Sequence, residues 1–342
     1  MTPTRRRRFA AGASIDGALR ISALLGVATL AVTLMAAPAD AHGSAGQAPV
    51  NTQTRVIDIV PAHPGVQARI TDLGEHVVLT TDGAEVIVFG YDGEEYLRID
   101  DDGVWRNERS PATFLNRRLD TVAEIPDSYD ASAAPQWQRM GDGRTARWHD
   151  HRLHPGAGAS TEWQVTIAVD GVTTIVRGET TRESPPPVWS AIALVVGIAI
   201  LSALVLRERR AVGFVIIGAV LAVGCVALSI ARWRASTEPT GTRLVVFAPT
   251  LLGVVLTLGA LRLRRGLGSA APWLVFGFGG LALAFGVALI PWLTHAVLPA
   301  LGPAPLWRVV VASALGSGSV AVALAAGALR VRPSPPGGDL VQ

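Results

Sequence analysis

The chain has 342 residues, of which 49% are hydrophobic and only 17% are charged, and it contains a single cysteine. In a typical soluble domain about a quarter of all residues are charged, so this composition indicates membrane-spanning segments. One cysteine excludes a disulfide framework and any metal site built from several thiolates.

The N-terminus has the pattern of a secretory signal peptide. A region rich in arginine precedes an apolar run over residues 21–37, and an Ala-x-Ala sequence ends at Ala41. This order favours removal of residues 1–41, which leaves His42 as the first residue of the mature chain. An uncleaved signal anchor remains the alternative, because the apolar run is nearly long enough to cross a bilayer.

Residues 42–183 consist of short runs in which apolar and polar residues alternate. Asp-Gly pairs at positions 82–83, 92–93 and 170–171 separate such runs and indicate tight hairpins. The pattern predicts an exported all-β domain, a β-sandwich of Ig-like or similar arrangement. The predicted strands are 54–60, 76–81, 85–91, 96–100, 145–149, 162–169 and 172–178, and residues 110–140 are predicted to be a long loop with a helical turn.

An α-helical membrane domain is predicted for residues 188–332. Residues 184–187, with three prolines, form a stiff spacer before it, and the Pro/Gly-rich residues 333–342 after it are predicted to be a disordered cytoplasmic tail. Five apolar runs each approach the roughly 20 residues that cross a bilayer. They are 188–206, 211–231, 244–261, 272–293 and 309–329, and none contains Asp, Glu, Arg or Lys.

The arginines predict the orientation of these five helices. Eight arginines follow the first, third and fifth runs, against four in the loops on the opposite side. Cytoplasmic loops carry the excess of basic residues, so a multi-pass protein of the cell membrane is predicted, with an extracytoplasmic N-terminal domain and a cytoplasmic C-terminus. The absence of ionisable residues from the runs favours a packed anchor, and a carrier of neutral cargo remains open.

The formal net charge of +3 conceals an uneven distribution. Residues 42–186 contain 13 arginines and 22 acidic residues, whereas residues 187–342 contain 12 arginines and three acidic residues. The exported domain is therefore acidic, which argues against a nucleic-acid partner and is compatible with a cationic ligand. The expected partners are the lipid bilayer and a protein of the cell envelope.

Three of the seven histidines lie within residues 148–154, and they are the candidate metal ligands. On a strand, His149 and His151 would point to one face, and the Pro-Gly pair at 155–156 would let His154 turn back towards them. Imidazole binds copper, zinc and nickel, and without a nearby thiolate or thioether the pattern favours Cu(II) or Zn(II). The alternative is a polar strand end whose histidines bind water and backbone.

His42 is a further candidate ligand, because a terminal histidine offers both its amine and its ring to one ion. Its position after the cleavage site could equally be fortuitous. His63 and His76 are isolated in the sequence and are predicted to be structural or solvent-facing. No phosphate-binding loop and no nucleophile elbow outside the membrane runs is recognisable, so the chain is not predicted to be an enzyme.

Three segments, residues 90–98, 110–113 and 148–154, resemble a family of bacterial membrane proteins of uncharacterised function. The resemblance covers most of residues 42–187, and its most specific part is the WHDHR-type motif at residues 148–152. It implies the same order of signal peptide, β domain, Pro-rich spacer and membrane helices. It implies no activity.

A weaker similarity is to secreted copper-binding β-sandwich proteins of the CopC type. Those proteins begin the mature chain with histidine and use a later Asp-x-His pair, which implies copper as the ion. Here Asp150 and His151 are adjacent and His149 precedes them, so the spacing departs from that pattern at Asp150.

Together these features predict a membrane-anchored extracytoplasmic protein that captures or hands over copper, with zinc as the other ion. His149 and His151 are the central predicted ligands, with His42 and His154 as additional ones. The alternative function is a structural or interaction protein of the envelope without a metal. A more distant alternative is an accessory subunit of a transporter.

Overall fold

The structure is a computed structural model. It describes residues 48–117, 124–154, 158–208, 210–235 and 271–330, together with the single residues 251, 254, 255, 257 and 258. The predicted signal peptide, His42, most of the predicted third membrane helix and the tail 333–342 lie outside the described residues.

The described residues up to position 182 form ten strands in two antiparallel sheets. The strands are β1 (Thr52–Val60), β2 (Val66–Thr71), β3 (His76–Thr81), β4 (Val86–Phe89), β5 (Glu95–Asp100), β6 (Gly103–Asn107), β7 (Trp137–Gly141), β8 (Thr145–His149), β9 (Ser160–Val169) and β10 (Val172–Arg182). A short helix, α1 (Pro111–Leu115), lies between β6 and β7. One sheet has the order β1-β10-β9-β4-β5-β6-β7, and the other has the order β2-β3-β8.

The two sheets bury one shared apolar cluster. Along β9 every second side chain from Trp163 to Val169 is buried, as expected for a strand with one face towards a core. Leu79 of β3 and Trp148 of β8 belong to the same cluster as Val86 and the β9 residues. The three-stranded sheet is therefore held against the larger sheet by apolar packing, and this places the end of β8 beside the core.

The predicted hairpin at Asp170-Gly171 is confirmed. Val169 pairs with Val172, and the two loop residues have φ of 46° and 79°, the left-handed conformations of a two-residue hairpin turn. The Asp-Gly pair at 82–83, in contrast, does not connect paired strands, because β3 and β4 belong to different sheets. All seven predicted strands are present, whereas β2, β6 and β7 were not predicted.

The second half of the described chain is helical. The helices are α2 (Val188–Glu208), α3 (Arg210–Ala235), α4 (Ala271–Ala288), α5 (Pro291–Thr294) and α6 (Ala304–Arg330). Three stretches, Val188–Arg207, Val212–Ala235 and Ala304–Ala328, are long and apolar enough to cross a membrane. The predicted fourth run is divided, since α4 ends at Ala288 and Pro291 begins α5, and its apolar helix is shorter.

The helix α6 packs between α2 and α4 through small residues. A Cβ added to Gly318 would lie 2.9 Å from the carbonyl oxygen of Gly279 in α4, and one added to Gly316 would lie 2.8 Å from that of Val195 in α2. Ser202 and Ser317 share a buried hydrogen bond of 3.1 Å between α2 and α6. Such close approach of helix backbones is typical of helices that associate in lipid.

The β region contacts the helical region beyond the chain connection at residues 183–187. Val50 and Val297 exchange two backbone hydrogen bonds of 3.0 and 2.9 Å. The amide of Ala296 donates to Oδ1 of Asn51 at 2.9 Å. The segment between α5 and α6 is thus bound to the start of the β region.

Candidate metal centre

The three histidines of residues 148–154 lie where β8 ends and a 3₁₀ turn begins. His149 is the last residue of β8 and pairs with His76 of β3. Asp150 then caps the turn His151–Leu153 by accepting the amide hydrogen of Arg152 at 3.0 Å. His151 therefore opens a turn and does not continue the strand, so its nearness to His149 arises from a different local structure than the one predicted.

The three imidazole rings form a compact cluster. The ring centroids of His149 and His151 are 4.8 Å apart, and each lies 5.2 Å from that of His154. One ring nitrogen from each histidine lies within 4.8 Å of those of the other two. His149 is buried, with 7% of its surface exposed, whereas the side chain of His154 is 39% exposed. The cluster is thus closed on one side and open to solvent on the other.

Backbone carbonyls determine which nitrogen carries the proton in two of the rings. Nδ1 of His149 donates to the carbonyl oxygen of Glu75 at 2.8 Å, and Nε2 of His151 donates to that of Leu115 at 3.0 Å. The lone pairs are therefore at Nε2 of His149 and Nδ1 of His151. Metal-binding histidines are typically oriented in this way, through the ring nitrogen that does not bind the ion.

Two ring nitrogens of the cluster are buried without a hydrogen bond. Among the described residues, neither Nε2 of His149 nor Nε2 of His154 has a hydrogen-bond partner. A buried polar atom without a partner costs about 1–3 kcal/mol, so native structures contain few of them. A bound metal ion would satisfy such nitrogens, and this is the observation that best fits a metal centre.

Glu75 is the acidic neighbour of the cluster. Its Oε2 lies 3.4 Å from Nδ1 of His149 and 3.8 Å from Nε2 of His154. The contact with His154 holds the pKa of Glu75 below its usual value, in spite of the opposing effect of burial. Burial lowers the pKa of His149, and the nearby Glu75 carboxylate only partly opposes that effect. His149 is consequently neutral and able to bind a metal at neutral pH.

Asp150 is fully buried and bound within the protein on all sides. Arg152 donates to it through Nε at 2.8 Å and through a terminal nitrogen at 2.7 Å, and Trp148 donates its indole hydrogen at 2.8 Å. Burial alone would raise the pKa of Asp150, but the ion pair with Arg152 holds it below its usual value. Asp150 therefore acts as a structural anchor, and its oxygens are occupied by these donors.

Residues from the segments 90–98 and 110–113 support the histidines from the other side. The hydroxyl of Tyr91 accepts the amide hydrogen of His151 at 3.0 Å and donates to Asn116. The buried carboxylate of Glu94 accepts hydrogen bonds from the hydroxyl of Ser110 at 2.6 Å and the amide of Ala112 at 3.2 Å, at the start of α1. Because α1 ends at Leu115, these contacts position the carbonyl that orients His151.

The remaining histidines are placed differently from one another. His76 was predicted to be isolated, but its ring lies 5.8 Å from that of His149 across the β3–β8 pair. Burial lowers the pKa of His76 to about 4, and Arg147, 3.2 Å from its Nδ1, contributes to this shift. His63 forms a hydrogen bond of 3.0 Å with Thr174, a structural role as predicted. His42 lies outside the described residues.

The cluster fits a transition-metal ion after a small contraction. Metal–nitrogen bonds of about 2.0–2.1 Å place the nitrogens of a tetrahedral site roughly 3.3 Å apart. The nitrogens here lie within 4.8 Å of one another, so they would move closer on binding. The side chain of His154, which is 39% exposed, has room to make this movement.

Comparison of the chain with protein-family models, with curated proteins and with solved structures found no match in any of the three.

Proposed function

We propose that the β domain binds one divalent transition-metal ion, Cu(II) or Zn(II), through His149, His151 and His154. The observation that carries this proposal is the buried Nε2 of His149, which lacks a hydrogen bond among the described residues and belongs to a cluster of three imidazoles. Water-bound histidines on a polar strand end would not require such a nitrogen to be buried.

The donor set favours oxidised, divalent ions. Imidazole nitrogens suit copper(II), zinc and nickel, whereas Cu(I) is selected by thiolates and thioethers. His42 remains a proposed additional ligand if cleavage after Ala41 makes it the terminal residue. Its amine and ring would then favour copper(II).

The proposed role is metal capture or handover at the cell surface, and not catalysis. His154 and Glu75 have side chains that are 39% and 46% exposed, so one side of the cluster is open to solvent. An ion with one side open to solvent is accessible to a partner, whereas an ion enclosed by four protein ligands is not. The net charge of −9 in residues 42–186 would attract cations to this domain.

The proposed topology is a multi-pass membrane protein with five spanning helices, an extracytoplasmic β-sandwich of Ig-like or similar arrangement, and a cytoplasmic C-terminus. The contact between Val50 and Val297 supports this orientation. The arginine pattern assigns the segment around Val297 to the outer side of the membrane, where the exported domain would lie. The exposed apolar side chains of α2, such as Ile192 and Leu201, are suited to lipid.

Titration of the full-length protein in detergent with Cu(II) and with Zn(II) tests the metal proposal. We expect sub-micromolar binding of one ion per chain in the wild type, and its loss in the double variant His149→Ala, His151→Ala. His63→Ala is the matched control, because His63 belongs to the same domain but bonds to Thr174. Equal binding by the wild type and the double variant would contradict the proposal and favour an envelope protein without a metal.

A further inference from the structure

The connection between β2 and β3 has an unusual backbone. Its first three residues, Asp72, Leu73 and Gly74, have φ of 56°, 57° and 104°. The left-handed region is uncommon for residues other than glycine and costs roughly 1–2 kcal/mol for each of them. Two consecutive residues of this kind indicate that the surrounding structure holds the turn in this conformation.

Buried polar contacts supply that constraint. The carboxylate of Asp72 is buried and accepts hydrogen bonds from Arg147 at 2.8 and 3.2 Å. The hydroxyl of Thr71 donates to the same carboxylate at 3.0 Å. Gly74 packs so closely on β1 that an added Cβ would lie 2.6 Å from the hydroxyl oxygen of Thr54.

The turn ends at Glu75 and fixes where that residue lies. The backbone carbonyl of Glu75 accepts the Nδ1 hydrogen of His149, and its carboxylate lies beside both His149 and His154. One residue thus contacts two of the three imidazoles through two different groups. Relaxation of the turn would move both groups together.

We infer that Glu75 is a positioning residue of the metal centre: its carbonyl orients His149, and its carboxylate places a negative charge beside His149 and His154 without being required as a ligand. This inference rests on the proposed metal-binding function. The carbonyl keeps the lone pair of His149 at Nε2. The carboxylate places a negative charge near the divalent ion, and both effects strengthen metal binding.

The test compares Glu75→Gln with Glu162→Gln in the full-length protein. Glu162 is an exposed acid on β9 of the same domain, so its variant removes an equal charge away from the histidines. Partners that orient metal-binding histidines typically contribute 10–100-fold to affinity. We therefore expect Zn(II) affinity to fall by about 10–100-fold in Glu75→Gln and to be unchanged in Glu162→Gln.

Two further measurements separate positioning from a merely structural role. The visible absorption spectrum of bound Co(II) should change in Glu75→Gln, because the negative charge beside two of the ligands is lost, and the thermal midpoint of the metal-free chain should not. Glu75→Asp, which retains the charge, should recover part of the affinity. A fall in the midpoint that accounts for the lost affinity would contradict the inference, as would a Co(II) spectrum and affinity equal to those of Glu162→Gln.

The outcomes also distinguish this inference from the function on which it rests. If the His149→Ala, His151→Ala variant loses the ion while Glu75→Gln matches its control, only the role of Glu75 is refuted. If the wild type and the double histidine variant bind metal equally, the metal-binding function itself is refuted.

Discussion

Residues 148–154 contain two sets of side chains, the Trp148–Asp150–Arg152 group and the three histidines, and the two sets lie in different environments. Trp148, Asp150 and Arg152 form a closed network in which the buried carboxylate receives the indole hydrogen and two guanidinium hydrogens. His149 and His154 each have a buried ring nitrogen without a hydrogen-bond partner among the described residues. A single short segment therefore contains both an anchor and a candidate binding site.

This difference shows how a histidine cluster with buried ring nitrogens that lack hydrogen bonds can persist in a folded domain. The ion pair of Asp150 and Arg152, with the capping of the turn by Asp150, fixes the backbone that carries the histidines. Nε2 of His149 and Nε2 of His154 can then remain available for a ligand, because other contacts hold the backbone in place. Changes in the two sets should consequently affect different properties of the protein.

The largest expected effect is a loss of stability when the anchor is broken. Asp150→Asn would remove the counter-charge of Arg152, whose side chain is 20% exposed, and the loss of one partner from a fully buried pair typically costs about 3–5 kcal/mol. We expect a large fall in the thermal midpoint of the β domain, measured by tryptophan fluorescence of the detergent-solubilised chain without metal. A change equivalent to less than about 1 kcal/mol would show that Asp150 is not the anchor.

The next effect should appear in metal affinity and not in stability. Loss of one imidazole in His154→Ala should weaken Zn(II) binding by about 100-fold or more, since even the partners of ligands contribute 10–100-fold. The thermal midpoint without metal should change little, because the side chain is 39% exposed. A variant that binds zinc like the wild type would remove His154 from the site.

The smallest expected effect concerns pH. A histidine binds metal only when it is neutral, and three ordinary histidines with pKa of about 6.5 would together lose roughly 50-fold in affinity between pH 7.5 and pH 6. Burial lowers the pKa of His149, so protons compete less for this ligand. Zn(II) titrations at the two pH values should therefore show a loss clearly smaller than about 50-fold. A loss of that size or larger would contradict the buried, neutral state of His149.

Local signals in the sequence predicted much of the β region. The β9–β10 hairpin was predicted because apolar alternation flanks an Asp-Gly pair, and both features are local. The strand β7 was missed because most of its side chains are exposed, so its sequence shows no alternation. The Asp-Gly pair at 82–83 predicted a hairpin wrongly, because a turn residue does not reveal to which sheet the next strand belongs.

The candidate site could be predicted only in part. The proximity of His149, His151 and His154 follows from their spacing in the sequence, although a turn and not a strand produces it. Glu75 and His76 were not identified as neighbours, because the pairing of β3 with β8 joins residues 65–73 positions apart. Such long-range register depends on packing of the whole core, which local patterns do not encode.

The central claim is that these three histidines bind one ion, and pulsed electron paramagnetic resonance of the Cu(II)-loaded full-length protein tests it most directly. The remote ring nitrogens of bound imidazoles couple to the copper electron and give a characteristic modulation. We expect modulation from several imidazoles in the wild type, its loss or strong reduction in His149→Ala, His151→Ala, and no change in His63→Ala. Identical modulation in the wild type and the double variant would contradict the proposed metal centre.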